Sequence, residues 1–66
     1  MPAFEVHFAD SSTLKSQYIE IQKSILIMAE NSIEAITLAS GKEEIRKFYR
    51  RYDGELVASA HPYIPD

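Results

Sequence analysis

The side chains best suited to proton transfer or nucleophilic attack in this chain are His7, His61 and seven serines, set among ten carboxylates. Glu5 and His7 stand two residues apart, a spacing that puts both on one face of a strand. Two donors fall short of a zinc-type site, which takes three or four ligands, and His61 has no second ligand at a recognisable spacing. None of Ser11, Ser12, Ser16, Ser24, Ser32, Ser40 or Ser59 stands in a nucleophile elbow or beside a base at a catalytic spacing. A glycosidase-like acid pair needs one carboxyl desolvated in a cleft, and a chain of 66 residues has little cleft to give. The glycines, Gly41 and Gly54, each fit a structural position, so no phosphate-cradling loop is left. Cysteine is absent, which removes disulfides, thiolate metal sites and cysteine nucleophiles. The expectation is a chain without catalysis, metal or cofactor.

Size points the same way. A domain this short buries only about 60% of the surface its unfolded chain exposes, and a ligand pocket would consume much of that core. With 45% hydrophobic and 26% charged residues the composition is that of a folded globular chain. Met1 and Pro2 lead into Glu5 without a basic segment and apolar core, and the apolar run from Ile25 to Ala29 is too short to span a bilayer. A cytoplasmic protein is expected.

Charge is uneven. The net charge is −3, yet residues 42–51 hold five bases (Lys42, Arg46, Lys47, Arg50, Arg51) against Glu43 and Glu44, a local +3. The remainder holds two bases and eight acids, a local −6. An acidic background repels a polyanion, whereas nucleic-acid binders are basic as whole domains. A single basic stripe therefore suits docking on an acidic protein surface better.

The elements that must carry these groups can be read from periodicity. Phe4, Val6 and Phe8 alternate with Glu5 and His7, and Ile19, Ile21, Ile25, Ile27 and Ala29 alternate along 18–29, interrupted by Lys23, so both runs read as half-buried strands. A hairpin pairing residues whose numbers sum to 33 sets Phe4 against Ala29, Val6 against Ile27, Phe8 against Ile25 and Asp10 against Lys23. Beyond that pair, Leu14 faces Ile19 and Ser12 faces Ile21 around a loop of Lys15, Ser16 and Gln17. The apolar tip so formed is either covered by Tyr63 and Ile64 or left as a contact surface. Asn31-Ser32-Ile33-Glu34 reads as a capping box opening a helix with Ile33, Ile36 and Ala39 inward, and Gly41 as its left-handed stop. Ile45, Phe48, Tyr49 and Tyr52 fit helical spacing, but Asp53-Gly54 is a tight-turn signal and the aromatics are strand formers. A second hairpin over 46–60 is expected on that ground, displaying Arg46, Phe48, Arg50 and Tyr52 on one face. Leu56, Ala58 and Ala60 form a small-residue stripe fit to receive a helix.

The resulting expectation is an α+β domain over 1–61, a small antiparallel four-stranded sheet (β-β-α-β-β, order 2-1-3-4) with one helix on one face, followed by an extended tail, 62–66. The face without a helix is the natural contact surface. The segments Phe4-Glu5-Val6-His7-Phe8 and Ile25-Leu26-Ile27-Met28-Ala29-Glu30-Asn31-Ser32-Ile33-Glu34-Ala35-Ile36, followed by a basic-aromatic hairpin through Asp53-Gly54, resemble in architecture the very short phage and mobile-element proteins, anti-CRISPR proteins among them. That resemblance implies a stoichiometric inhibitor or adaptor that occupies a host protein such as a CRISPR-Cas component, in the host cytoplasm, without catalysis. The residues themselves favour a protein-binding module with Arg46, Arg50, Arg51, Tyr52 and Tyr18 as anchors, arginine and tyrosine being the usual hot-spot types. The alternative is a single-strand nucleic-acid binder in which Phe48 and Tyr52 stack bases and Arg46 and Arg50 hold phosphates. A homodimer through a strand edge is compatible with both readings.

Overall fold

The computed structural model describes residues 1–16 and 18–65. It is a small α+β fold: three antiparallel strands, β1 (Ala3–Asp10), β2 (Ile21–Met28) and β3 (Leu56–Pro62), in order β2-β1-β3, with helices α1 (Ser32–Ser40) and α2 (Glu43–Arg51). Two helices and three strands replace the expected one and four. The C-terminal strand takes the place beside β1 that the sequence reading gave to residues 46–52.

The alternation along β1 does what its period requires. Phe4, Val6 and Phe8 are buried, and with Ile27, Ala29, Ala35, Ala39 and Ile45 they form the core. Both helices lie on this face. Ala35 and Ala39 of α1 are fully buried, and Ala58 and Ala60 of β3 pack against the same cluster. Small side chains on both sides let the helix approach the strand closely.

β1 and β2 pair in a register two residues shorter than expected: Phe4 faces Ile27, Val6 faces Ile25 and Phe8 faces Lys23. A shift of two keeps every side chain on its face, so the core composition survives. The cause lies at Asp10, whose carboxylate accepts from the Ser12 N–H at 2.9 Å and the Ser12 hydroxyl at 2.7 Å, capping a short 3-10 helix, Ser11–Lys15. A capping aspartate cannot pair with Lys23. That ammonium sits instead 5.9 Å from the centre of the Phe48 ring. Leu14 and Ser12 consequently belong to the 3-10 helix rather than to a strand facing Ile19 and Ile21, and Gln17 lies outside the described residues. Tyr63 donates its N–H to the Ala3 carbonyl at 2.9 Å, at the opposite end of the sheet, so the C-terminal residues do not cover the tip. Pro62 ends β3 on a sheet edge, where its missing amide costs no ladder bond.

Asn31 caps α1 as its type requires, accepting from the Glu34 N–H at 2.8 Å. The Glu34 carboxylate reaches one residue further back than a capping box prescribes, to the Glu30 N–H at 3.2 Å. Gly41 is not a left-handed stop: its φ is −84°, and Lys42 caps the next helix at once. Ile33, expected inward, is 77% exposed, because Ala35, Ile36 and Ala39 supply the buried side.

The largest correction is α2. Its glutamates lie in the first turn and Arg50 and Arg51 in the last, the arrangement that complements a helix dipole. Lys47 and Glu43 pair at 4.0 Å across one turn. Ile45 is fully buried, and Tyr49 meets the Phe8 ring edge-on, 5.8 Å between centres. The helical spacing of Ile45, Phe48, Tyr49 and Tyr52 therefore outweighs the strand propensity of its aromatics. Asp53-Gly54 becomes the link into β3. No described non-glycine residue and neither glycine has positive φ. Gly54 is needed for a different reason: a Cβ there would meet the Tyr52 ring at 2.8 Å.

Truncating Ile45 to alanine should cost about 2 to 5 kcal/mol, because its burial attaches α2 to the sheet. Leu14→Ala, at the surface, should change stability by no more than about 0.5 kcal/mol. Chemical denaturation of the two variants measures the difference, and similar losses would contradict the described packing.

Candidate functional site

Because Ile45, Phe48 and Tyr49 turn α2 toward the sheet, Arg46, Lys47, Arg50 and Arg51 turn toward solvent. Arg46 and Arg50, one helical turn apart, border a shallow cleft of about 410 Å³ together with Tyr49 and Ser40. The Tyr49 phenol is a neutral hydrogen-bond donor at physiological pH, and burial pushes its pKa further above the ordinary value. Among the described residues, Lys47 with Glu43 is the ion pair on this helix, and no carboxylate lies within 4 Å of Arg46, Arg50 or Arg51. The cleft thus offers two uncompensated guanidinium groups beside a phenol. Such a set can hold a carboxylate or another oxyanion through charge-assisted hydrogen bonds.

Three of the five expected anchors, Arg46, Arg50 and Arg51, are exposed on this one helix. Tyr52 is not free to be one. Its hydroxyl donates to the Asp10 carboxylate, tying the end of α2 to the end of β1, and its ring lies 5.6 Å from Phe48 and against Gly54. Tyr18 is 82% exposed in the connection before β2, held from behind by the Ser16 hydroxyl donating to the Tyr18 carbonyl at 2.6 Å. The strand face that was to show Arg46, Phe48, Arg50 and Tyr52 in alternation does not form. Helical geometry splits that set, arginines outward and aromatics inward.

The sheet face without helices carries other residues. His7 Nε2 and Glu5 Oε1 are 2.5 Å apart, the His7 and His61 rings have centres 5.1 Å apart, and Ser59 Oγ lies 3.2 Å from His61 Nε2. The pairing of β3 with β1, which sets Glu5 opposite His61 and His7 opposite Ser59, builds this row. Sequence reasoning set Glu5 and His7 on one face but did not bring His61 and Ser59 beside them, since a pairing across some fifty residues leaves no local signal. The serine–histidine pair is exposed on the strand face and does not border the cleft of Arg46 and Arg50. Among the described residues no three histidine, aspartate or glutamate side chains are placed to hold a metal ion. No helix among them is long and apolar enough to cross a membrane.

Comparison with known protein families, curated proteins and solved structures finds no match.

The Tyr52–Asp10 bond yields a pH dependence with a sign at each end. Hydrogen bonds from Tyr52 and then Ser12 hold the Asp10 carboxyl below its ordinary 3.8, so its contribution is present above that value and is lost as acid protonates it. The same bond, with desolvation and the nearby negative charges of Asp10 and Glu20, pushes Tyr52 up to about 12. Its contribution is complete below pH 10 and disappears as the pH rises towards 12. Tyr52→Phe should lower the unfolding midpoint at neutral pH and flatten the loss of stability above pH 10. An unchanged alkaline limb in thermal melts of the variant would show that the bond does not form.

Proposed function

We propose that this chain is a non-catalytic protein-binding module, an inhibitor or adaptor that docks the exposed face of α2 on an acidic surface of a larger protein. The observation that carries the reading is that four cations, Arg46, Lys47, Arg50 and Arg51, stand on one short helix of a chain whose net charge is −3. Only Lys47 among them has a carboxylate within 4 Å among the described residues. Such a patch steers an acidic partner into register. Arg46 and Arg50, converging on the cleft beside Tyr49, are the groups best placed to be hot spots. The architectural resemblance to anti-CRISPR proteins makes a CRISPR-Cas component the first partner to try, in a host cytoplasm.

Single-strand nucleic-acid binding is less well supported by the same geometry. It needs exposed aromatic rings free to stack between the cations, and here Phe48 is half-buried beside Lys23, Tyr52 is held by Asp10, and Tyr49, though 41% exposed between Arg46 and Arg50, packs on the Phe8 ring. The acidic remainder of the chain adds repulsion.

The double variant Arg46→Glu/Arg50→Glu, folded as judged by circular dichroism, should lose at least tenfold in affinity for a stoichiometric partner captured from host lysate, about 1.4 kcal/mol or more. Single-stranded DNA or RNA should give no shift at physiological salt. Undiminished capture by the double variant would refute the α2 docking face. A micromolar oligonucleotide complex that weakens steeply with salt would replace the protein-binding reading with the nucleic-acid one.

A further inference from the structure

The strand β2 offers a second interaction surface, on a different element from the basic helix. It is an edge of the sheet. Ala29 donates its N–H to the Pro2 carbonyl at 3.1 Å, in register with Phe4–Ile27 and Val6–Ile25, so these alternate positions turn their main chain toward β1. Ser24, Leu26 and Met28 turn theirs outward. A row of outward amides and carbonyls is a template for another strand. The opposite edge, β3, ends in Pro62, which has no donor to offer, and α1 lies closer to that strand than to β2. A mostly apolar groove of about 620 Å³ is left beside β2, lined by Leu26, Ile27, Met28, Thr37 and Leu38, with Lys42 at its border. Leu26 and Met28 are each 56% exposed.

We propose that the occupant of this edge is a second copy of the chain, its β2 pairing antiparallel with β2 about a two-fold axis at Leu26. In that register Leu26 faces its own copy, Met28 faces Ser24, Ile25 faces Ile27 and Lys23 faces Ala29. No like charges oppose one another, and the outward groups of Ser24, Leu26 and Met28 complete each other's ladder. The antiparallel run also carries the connection preceding β2, with exposed Tyr18 and Ile19, alongside the start of the second copy's α1, where Ile33 is exposed. Neither end of β2 carries charge of one sign to oppose the pairing: Lys15 and Lys23 stand with Asp10 and Glu20 at its entry, and Glu30 and Glu34 stand with Lys42 at its exit. Edge pairing alone buries less than the roughly 1,200 Å² of a stable interface, so the pairing depends on added burial of the exposed Tyr18 and Ile19 at both ends. A strand from another protein would complete the ladder but would not bring these residues together, which is why a second copy is the better occupant.

Sedimentation of the full chain, at concentrations where a micromolar dimer is populated, should give twice the chain mass. Leu26→Lys, which sets two ammonium groups together on the axis at a position exposed in the single chain, should return it to one chain mass. A second measurement leaves the strand otherwise native. Directly paired residues have Cα atoms about 5.5 Å apart, within disulfide range, so Leu26→Cys should oxidise to a covalent dimer, and Ser59→Cys on β3 should not. A single-chain mass for the native protein would overturn the proposal. A dimer that survives Leu26→Lys, or that is trapped by Ser59→Cys in preference to Leu26→Cys, would overturn it as well. Loss of the dimer with Arg46→Glu/Arg50→Glu would contradict the separation of the two surfaces.

Discussion

Phe8 sits where the sheet and the second helix meet, fully buried on the central strand with Ala58 on one side and Lys23 on the other. A ring of that size in so small a core needs a cover, and α2 provides it: Tyr49 comes down edge-on, and Ile45, one turn earlier, is sealed beneath the helix. Once these two side chains are committed to the sheet, helical geometry leaves Arg46, Lys47 and Arg50 no direction but outward. The basic surface is thus a consequence of how the core is closed. The Tyr52–Asp10 bond and the close approach of Gly54 then fix where the helix ends.

Much of this was legible in the residues. The period-two row of Phe4, Val6 and Phe8, the Asn31 cap and the small-residue stripe of β3 each carry a local physical signal strong enough to survive folding. The misreadings share a cause, which is that one local signal yields to a stronger competitor, whether nearby in the chain or in the core. Asp53-Gly54 favours a tight turn, but the Glu43 and Glu44 start, the Arg50 and Arg51 end and the apolar spacing between them describe a helix, and burial of Ile45 decides the matter. Asp10 suits a cross-strand partner for Lys23, yet a nearby backbone amide at Ser12 claims it first. The row of Glu5, His7, His61 and Ser59 depends on a strand pairing across most of the chain, which no window of sequence displays.

The candidate site was legible by charge more than by shape. Lys and Arg clustering between 42 and 51 points to a basic surface whatever the backbone does, and Arg46 and Arg50 are exposed on the helix as they would have been on a strand. The aromatic partners change sides. That exchange bears on function, because several rings interleaved with cations suit stacked bases, whereas cations on a rigid helix around Tyr49, itself packed on Phe8, suit an acidic protein surface. β2, at the sheet edge away from β3, adds a second surface of different chemistry, apolar and backbone-led, so that self-association and partner docking need not compete for the same residues.

The central claim is that residues 43–51 form a helix clamped on Phe8, and solution NMR tests it most directly. The account predicts helical carbon shifts across that segment and nuclear Overhauser contacts between the rings of Tyr49 and Phe8. Strand-like shifts over 46–52, with cross-strand contacts to 55–60 in place of the Tyr49–Phe8 contact, would contradict it.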